Sequence, residues 1–467
     1  MVNVAGRSKG CAACRRRKVK CDLGFPQCQR CIDLRLACPG PRVGAFFVHA
    51  QANASQPAVA QALTRIPPTS ALKACRADAF DQLFVSHFID SFGLPKTVST
   101  GPTWLESLPS FLGARSNALA MVSIRSASML SYGTWARDEA IQADSYRWYA
   151  SALAQLRRAT AQGRQQPAPA LEMAVCAAVM LIHFETWAGT SRNAWVYHVK
   201  GAASLLQAAG PEACRWGFLQ SVFSHLRFQV FIVSMQEDTL HAFAEPQWLE
   251  VPFREQGKTL FDELVDALFS VQRCLLFVQQ NVDMGAVKGE EACSAIRSLT
   301  DAAANQLSTW NKKHMVFLRP ASWAQQACGG ELTSSEKTGD ADSIITATPI
   351  PGLPEAALVS LFHAARLIVT QLASATDGSL RSTAEEDSQI ILQANAFSVR
   401  STSLPSTKLR PFLMLPSLKI ASLWSPLSEV RSQAGALLLN EQILASSMAD
   451  LALTSEGYFS QIAPSIR

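Results

Sequence analysis

The chain has 467 residues, 48% of them hydrophobic and 17% charged. That is too long for one compact core, and its composition excludes a mostly disordered chain. The formal charge of +5 is uneven: residues 1–45 carry ten Lys/Arg against Asp22 and Asp33, a balance of +8, which leaves −3 for the remainder. A basic head on a mildly acidic body points to a polyanion as partner of the head alone.

Residues 1–10, MVNVAGRSKG, lack an apolar core segment, so no secretory signal is expected. Apolar runs such as Ala174–Ile182 fall short of the roughly 18–20 residues of a membrane span, so no membrane partner is expected. An intracellular chain rarely forms disulfides, and clustered cysteines there usually mean metal.

The cluster is Cys11, Cys14, Cys21, Cys28, Cys31 and Cys38, spaced C-x2-C-x6-C-x6-C-x2-C-x6-C. One half-unit, C-x2-C-x6-C, is written twice. Three thiolates do not complete a zinc site, which wants about four ligands, but six can serve two zincs if two sulfurs are shared. Roughly −6 from the thiolates then meets about +4 from the metals, and the nearby basic residues screen the rest. Arg15, Arg16, Arg17, Lys18 and Lys20 fill the gap between the second and third cysteines. A short helix over Arg15–Lys20, about one and a half turns, puts these cations at its C-terminal end, where the macrodipole favours them. Pro26 sets the turn between the halves, and Asp22 is expected to cap or to pair with a basic side chain. A disulfide framework would also use cysteine but is disfavoured in an intracellular chain, and an iron–sulfur site does not account for the doubled half-unit.

These residues, over about 8–42, resemble the fungal-type zinc binuclear cluster DNA-binding domain. The resemblance implies zinc as cofactor, two ions per chain, held by all six cysteines. It implies Cys11 and Cys28 as bridging thiolates, with Cys14 and Cys21 completing one site and Cys31 and Cys38 the other. It further implies that the first helix enters the major groove of double-stranded DNA over a CGG-type triplet. The base-reading pair falls on Arg17 and Lys18. Many members carry Lys at both positions; Arg at the first still suits guanine, and bidentately. Arg15, Arg16, Lys20 and Arg30 are assigned to phosphates, which position without specifying.

Residues 43–75 contain Pro57, Pro67 and Pro68 and read as a flexible linker. No run of apolar heptads marks a coiled coil there, so any homodimer is expected to use the helical body. From residue 76 to 467 the periodicity is helical, and the fold class is mainly α. Ala79, Leu83, Phe84, Phe88 and Phe92 form one expected face; Tyr146, Tyr149, Leu153 and Leu156 form another; Leu171, Val175, Ala178, Val179 and Ile182 form a third. Further helices are expected near 115–132, 192–209, 212–238, 258–283, 290–312, 354–376 and 427–453. Residues 329–353 read as a disordered loop. The stretches 103–109, 149–187, 195–211 and 415–431 resemble the fungal-specific transcription factor regulatory domain. That resemblance implies an all-α region that restrains the regulator, answers small effectors and contacts the transcription machinery.

His183, Glu185 and His198 invite an enzyme reading, but H-x-E lacks the H-E-x-x-H pairing of a zincin, and no phosphate loop or nucleophile elbow is present. Cys75, Cys176, Cys214, Cys274, Cys293 and Cys328 are isolated and read as packing. Trp187, Trp195 and Trp216 are candidates for an effector pocket, with core filling as the plainer role. The expected protein is a nuclear, sequence-specific regulator of RNA polymerase II genes and not an enzyme. By resemblance alone it would control a secondary-metabolite gene cluster. The alternative is a zinc-containing nuclear scaffold or co-regulator acting through protein contacts.

Overall fold

The computed structural model describes residues 11–22, 27–36, 38, 69–92, 103–112, 118–161, 168–283, 286–287, 289–315, 353–374, 381–400, 410–444, 448–454 and 456–463. The chain forms two compact units, Met1–Pro67 and Pro68–Arg467. In the first, α1 (Ala12–Arg16) contacts α2 (Gln29–Asp33) around buried cysteines.

The second unit is helical. It runs through α3 (Thr69–Phe92), α4 (Leu108–Leu112), α5 (Ala118–Ala136), α6 (Glu139–Ala161), α7 (Ala168–Ala188), α8 (Ala194–Ala209) and α9 (Gly217–Gln236). It continues with α10 (Pro246–Glu250), α11 (Leu260–Asn281), α12 (Glu290–Trp310), α13 (Leu353–Ser374), α14 (Arg381–Arg400) and α15 (Arg410–Trp424). The short helices α16 (Ser428–Leu438), α17 (Glu441–Leu444) and α18 (Ala449–Leu453) close it. The strands described are β1 (Val282–Asp283) and β2 (Ala286–Val287), a two-residue antiparallel pair.

Residues 69–75, expected as linker, are instead the first turns of α3. The Pro67–Pro68 pair stops any preceding helix, and Ala-Leu-Lys-Ala then favours a new one. Residues 43–68 and 329–352 lie outside the described residues, and Leu353 opens α13. The face expected on α3 is rotated: Phe84, Val85 and Phe88 are buried, whereas Ala79 and Leu83 are exposed. The single helix expected at 427–453 is three short ones. Helices α14 and α15 were not anticipated. The first half of α14 is polar, and Pro416 inside α15 removes a ladder hydrogen bond that a sequence reading counts against a helix.

Two helices are long and apolar enough to span a membrane, Pro169–Ala188 and Glu355–Ala373, but 72% and 83% of those windows are buried within the body. Apolar residues all round a helix suit a core position equally well. Helix α5 achieves close contact with α6 and α7 through small residues. Its buried Ser123, Ser126 and Ser128 return their hydroxyls to backbone carbonyls at 2.7–2.8 Å, so the polar groups are satisfied.

Local chemistry sets the boundaries. Asp138 accepts from the amides of Ala140 and Ile141 at 2.9 and 3.1 Å and caps α6. Thr259 and Asp262 form a reciprocal capping box at the start of α11, with bonds of 3.1 Å from each amide to the other's side chain. Asp262 also accepts from Ser224 at 2.6 Å and pairs with the fully buried Arg227, whose guanidinium reaches Asp266 as well. On the far side, Asp387 is fully buried between His363 Nδ1, at 2.6 Å, and Arg366 Nε, at 2.7 Å, joining α13 to α14. The C-terminal segment returns to the end of α9: Tyr458 N donates to Met235 O at 2.6 Å, and Phe459 N to Asp238 Oδ1 at 2.7 Å. Gly457 is required there, because a Cβ would lie 2.2 Å from Gln236 O.

Candidate metal centre and nucleic-acid interface

The two half-units of the head fold alike. In each, the C-x2-C pair opens a five-residue helix, and the fourth residue after its second cysteine turns left-handed: Lys18 at φ 56° and Arg35 at φ 51°. The next amide then closes back on that second cysteine's carbonyl, Val19 N to Cys14 O at 3.1 Å and Leu36 N to Cys31 O at 2.9 Å. This is the Schellman closure, usually built on glycine. The last cysteine of each half is held equivalently, with Cys11 N donating to Cys21 Sγ at 3.4 Å and Cys28 N to Cys38 Sγ at 3.5 Å. A repeated sequence has produced a repeated backbone.

The expected helix over Arg15–Lys20 is shorter and earlier. It ends at Arg16, so Arg17 and Lys18 lie in the turn that terminates it. The ring of sulfurs fixes Cys14 and Cys21 close together, and six intervening residues close that gap only by leaving the helix. Asp22 caps, as one of its two expected roles. Its oxygens accept from the amides of Gln29 and Arg30 at 2.8 and 3.4 Å, at the start of α2, where Cys28 supplies no side-chain cap. One half thus locks the helix of the other.

The sulfurs fall into two groups, Cys11, Cys14, Cys21, Cys28 and Cys11, Cys28, Cys31, Cys38, each with Sγ atoms within 4.8 Å of one another. The groups share Cys11 and Cys28. Sulfur–sulfur separations are 3.7 Å for Cys11–Cys28, Cys11–Cys31 and Cys14–Cys28, and 3.8 Å for Cys28–Cys38. A tetrahedron of sulfurs at about 2.3 Å from zinc has edges of about 3.8 Å, so the donor set fits zinc in number, softness and size. Cys11, Cys14, Cys28, Cys31 and Cys38 are buried and Cys21 is partly exposed. Burial pushes the Cys14 and Cys28 thiols up, which makes bare thiolates unfavourable there and a cation the natural partner.

Arg16, Arg17, Lys18, Lys20 and Arg30 are exposed, and Arg15 lies within α1. Among the described residues none of these five exposed cations makes an ion pair. They form a solvent-facing positive surface beside the cluster, concentrated in the first half-unit.

Of the residues that invited an enzyme reading, Glu185 and His198 meet through Tyr149, and His183 faces elsewhere. Glu185 is fully buried, accepting from Tyr149 Oη at 2.5 Å and from Thr190 N at 2.9 Å, and Tyr149 also meets His198 Nε2 at 3.1 Å. Desolvation and Glu185 together push the Tyr149 phenol up, which holds it as a hydrogen-bond donor. His183 turns instead toward His225, with Nε2 atoms 3.3 Å apart, and stacks on Trp104. Cys176, Cys214 and Cys274 are buried and Cys293 is partly exposed; the side chains of Cys75 and Cys328 lie outside the described residues. Trp195 lines a cavity, Trp187 is partly buried against the core, and Trp216 is exposed. Of the three tryptophans proposed for an effector pocket, Trp195 alone lines this cavity; the His183–His225 pair and the rest of the lining were not anticipated, because they come from segments far apart in the chain.

Two stretches match known families. Residues 9–42 match the fungal Zn(2)-Cys(6) binuclear cluster domain, and residues 114–262 match the fungal specific transcription factor domain. The chain matches no curated protein and no solved structure.

Proposed function

From the premise that this chain joins a fungal Zn(2)-Cys(6) binuclear cluster domain to a fungal specific transcription factor domain, and is a zinc-binding, DNA-binding transcription regulator, we propose that it reads CGG-type duplex sites. Its targets are RNA polymerase II genes, and the nucleus is its compartment. The observation that carries this reading is the exposed basic turn of Arg17 and Lys18 at the end of α1, braced by six clustered cysteines.

The cysteines proposed to hold two zinc ions are Cys11, Cys14, Cys21 and Cys28 for one and Cys11, Cys28, Cys31 and Cys38 for the other. Bound zinc supplies the divalent charge that lets six crowded sulfurs ionise together. The chain does the rest. Asp22 and the two left-handed turns hold α1 and α2 in register. Arg17 and Lys18 are the proposed base readers, suited to guanine O6 and N7. Arg15, Arg16, Lys20 and Arg30 are the proposed phosphate contacts, which set affinity and its salt dependence. Beyond duplex DNA, the proposed partners are the transcription machinery, a small-molecule effector and, for a dimer, a second copy through the body. Control of a secondary-metabolite gene cluster rests on resemblance alone.

Binding of the zinc-loaded full-length protein to a CGG-containing duplex, against a scrambled duplex, tests this across a range of salt. A preference for CGG that is lost with a chelator supports it. Absence of zinc-dependent binding at low salt would refute it and favour a protein-contact module.

A further inference from the structure

The helical body encloses a cavity of about 600 Å³, within the roughly 300–1,000 Å³ of small-molecule sites. Its lining comes from the end of α3, residues 103–105, α7, α8, α9 and the start of α11, together with α13, α15 and α18. These segments are far apart in the chain, so an occupant braces both halves of the body.

The lining defines what fits. Phe92, Trp104, Trp195, Phe228 and Phe261 supply aromatic surface, and Leu358 with Leu361 adds aliphatic surface. Rings of this kind favour stacked or edge contacts with another flat ring. The charged groups in the wall are already engaged. Lys258 pairs with Asp266 at 2.5 Å, and Asp262 is shared among Ser224, Thr259 and Arg227. The histidines add no cation at neutral pH, since burial pushes both His183 and His225 down. Gln229, also in the wall, is engaged too, contacting His225 Nε2 through its amide nitrogen at 3.0 Å.

We propose that this cavity binds a neutral, flat aromatic small molecule. The inference deepens the effector reading and rests on it only for its regulatory meaning. Binding is read without DNA, so failure of the DNA reading leaves it standing.

The test uses calorimetric titration of zinc-loaded full-length protein with three probes: 2-naphthol, naphthalene and 2-naphthoate. We expect saturable one-to-one binding of 2-naphthol, at least tenfold tighter than of 2-naphthoate. Naphthalene, which keeps the flat ring without a polar group, should also bind saturably and more tightly than 2-naphthoate. Ser221→Trp, entering from a half-buried lining position on α9, should block both, with thermal unfolding confirming that the variant is folded. Absence of saturable 2-naphthol binding to the unsubstituted protein would overturn the proposal. So would equal binding of 2-naphthoate, or undiminished binding in folded Ser221→Trp.

Discussion

Lys18 carries two loads that a single alanine substitution confuses. It is a proposed base reader, and it holds a left-handed backbone at φ 56° that closes the first half of the head. A residue with a Cβ in that conformation costs roughly 1–2 kcal/mol relative to one without. Glycine relieves that strain but has more chain entropy to lose, about 0.5–1 kcal/mol, so a net gain of up to about 1 kcal/mol remains. Alanine keeps the Cβ and leaves the turn unchanged. Both substitutions remove the ammonium, and a base contact is worth about 1–3 kcal/mol of discrimination, or roughly 5- to 150-fold. Lys18→Ala and Lys18→Gly should therefore lose preference for a CGG duplex over a scrambled one by similar factors. Zinc retention against a competing chelator should be unchanged for alanine and improved for glycine. Arg35, with the same backbone in the second half, is the control: Arg35→Gly should improve zinc retention and leave sequence preference intact. If Lys18→Gly retains the preference, or if both Lys18 variants weaken every duplex equally, the base-reading assignment is wrong.

Loss of a shared sulfur differs from loss of a terminal one. Cys11→Ala or Cys28→Ala should release both zincs, whereas Cys21→Ala or Cys38→Ala should leave about one per chain, by metal analysis. Asp22→Ala removes the cap on α2 and should destabilise the head by about 1 kcal/mol, read as roughly fivefold weaker zinc retention without loss of sequence preference. Lys20→Ala should weaken all duplexes alike and lower the salt slope by about one unit. The body should also be acid-sensitive. Burial lowers His225 from its ordinary value to about 4 and lowers His183 too, so the unfolded chain takes up protons first as pH falls. That stability is fully present above about pH 6.5 and declines toward pH 4; His225 alone should cost about 2 kcal/mol by pH 5. Denaturant titration from pH 7.5 to 5 checks this, and His225→Gln should flatten the profile.

The sequence by itself carried the proposed chemistry of the head. Ligand number and spacing are local quantities, and C-x2-C-x6-C written twice implies shared sulfurs once four ligands per metal are required. It determined the helical class of the body as well, since long apolar periods such as those in α7 and α13 need no partner to be recognised. The left-handed turns at Lys18 and Arg35 left no sign in the sequence, since that conformation ordinarily falls to Gly or Asn. Without the sulfurs converging, nothing in the cysteine spacing forces a turn rather than a longer helix. Which side of α3 faces inward, with Phe84 and Val85 buried and Leu83 exposed, depends on neighbours more than forty residues away. The pairing of His183 with His225, and a cavity walled by α9 and α13 together, depend on packing between segments that carry no mark of one another. Tertiary structure alone decided these, because burial of a polar group is a property of what surrounds it.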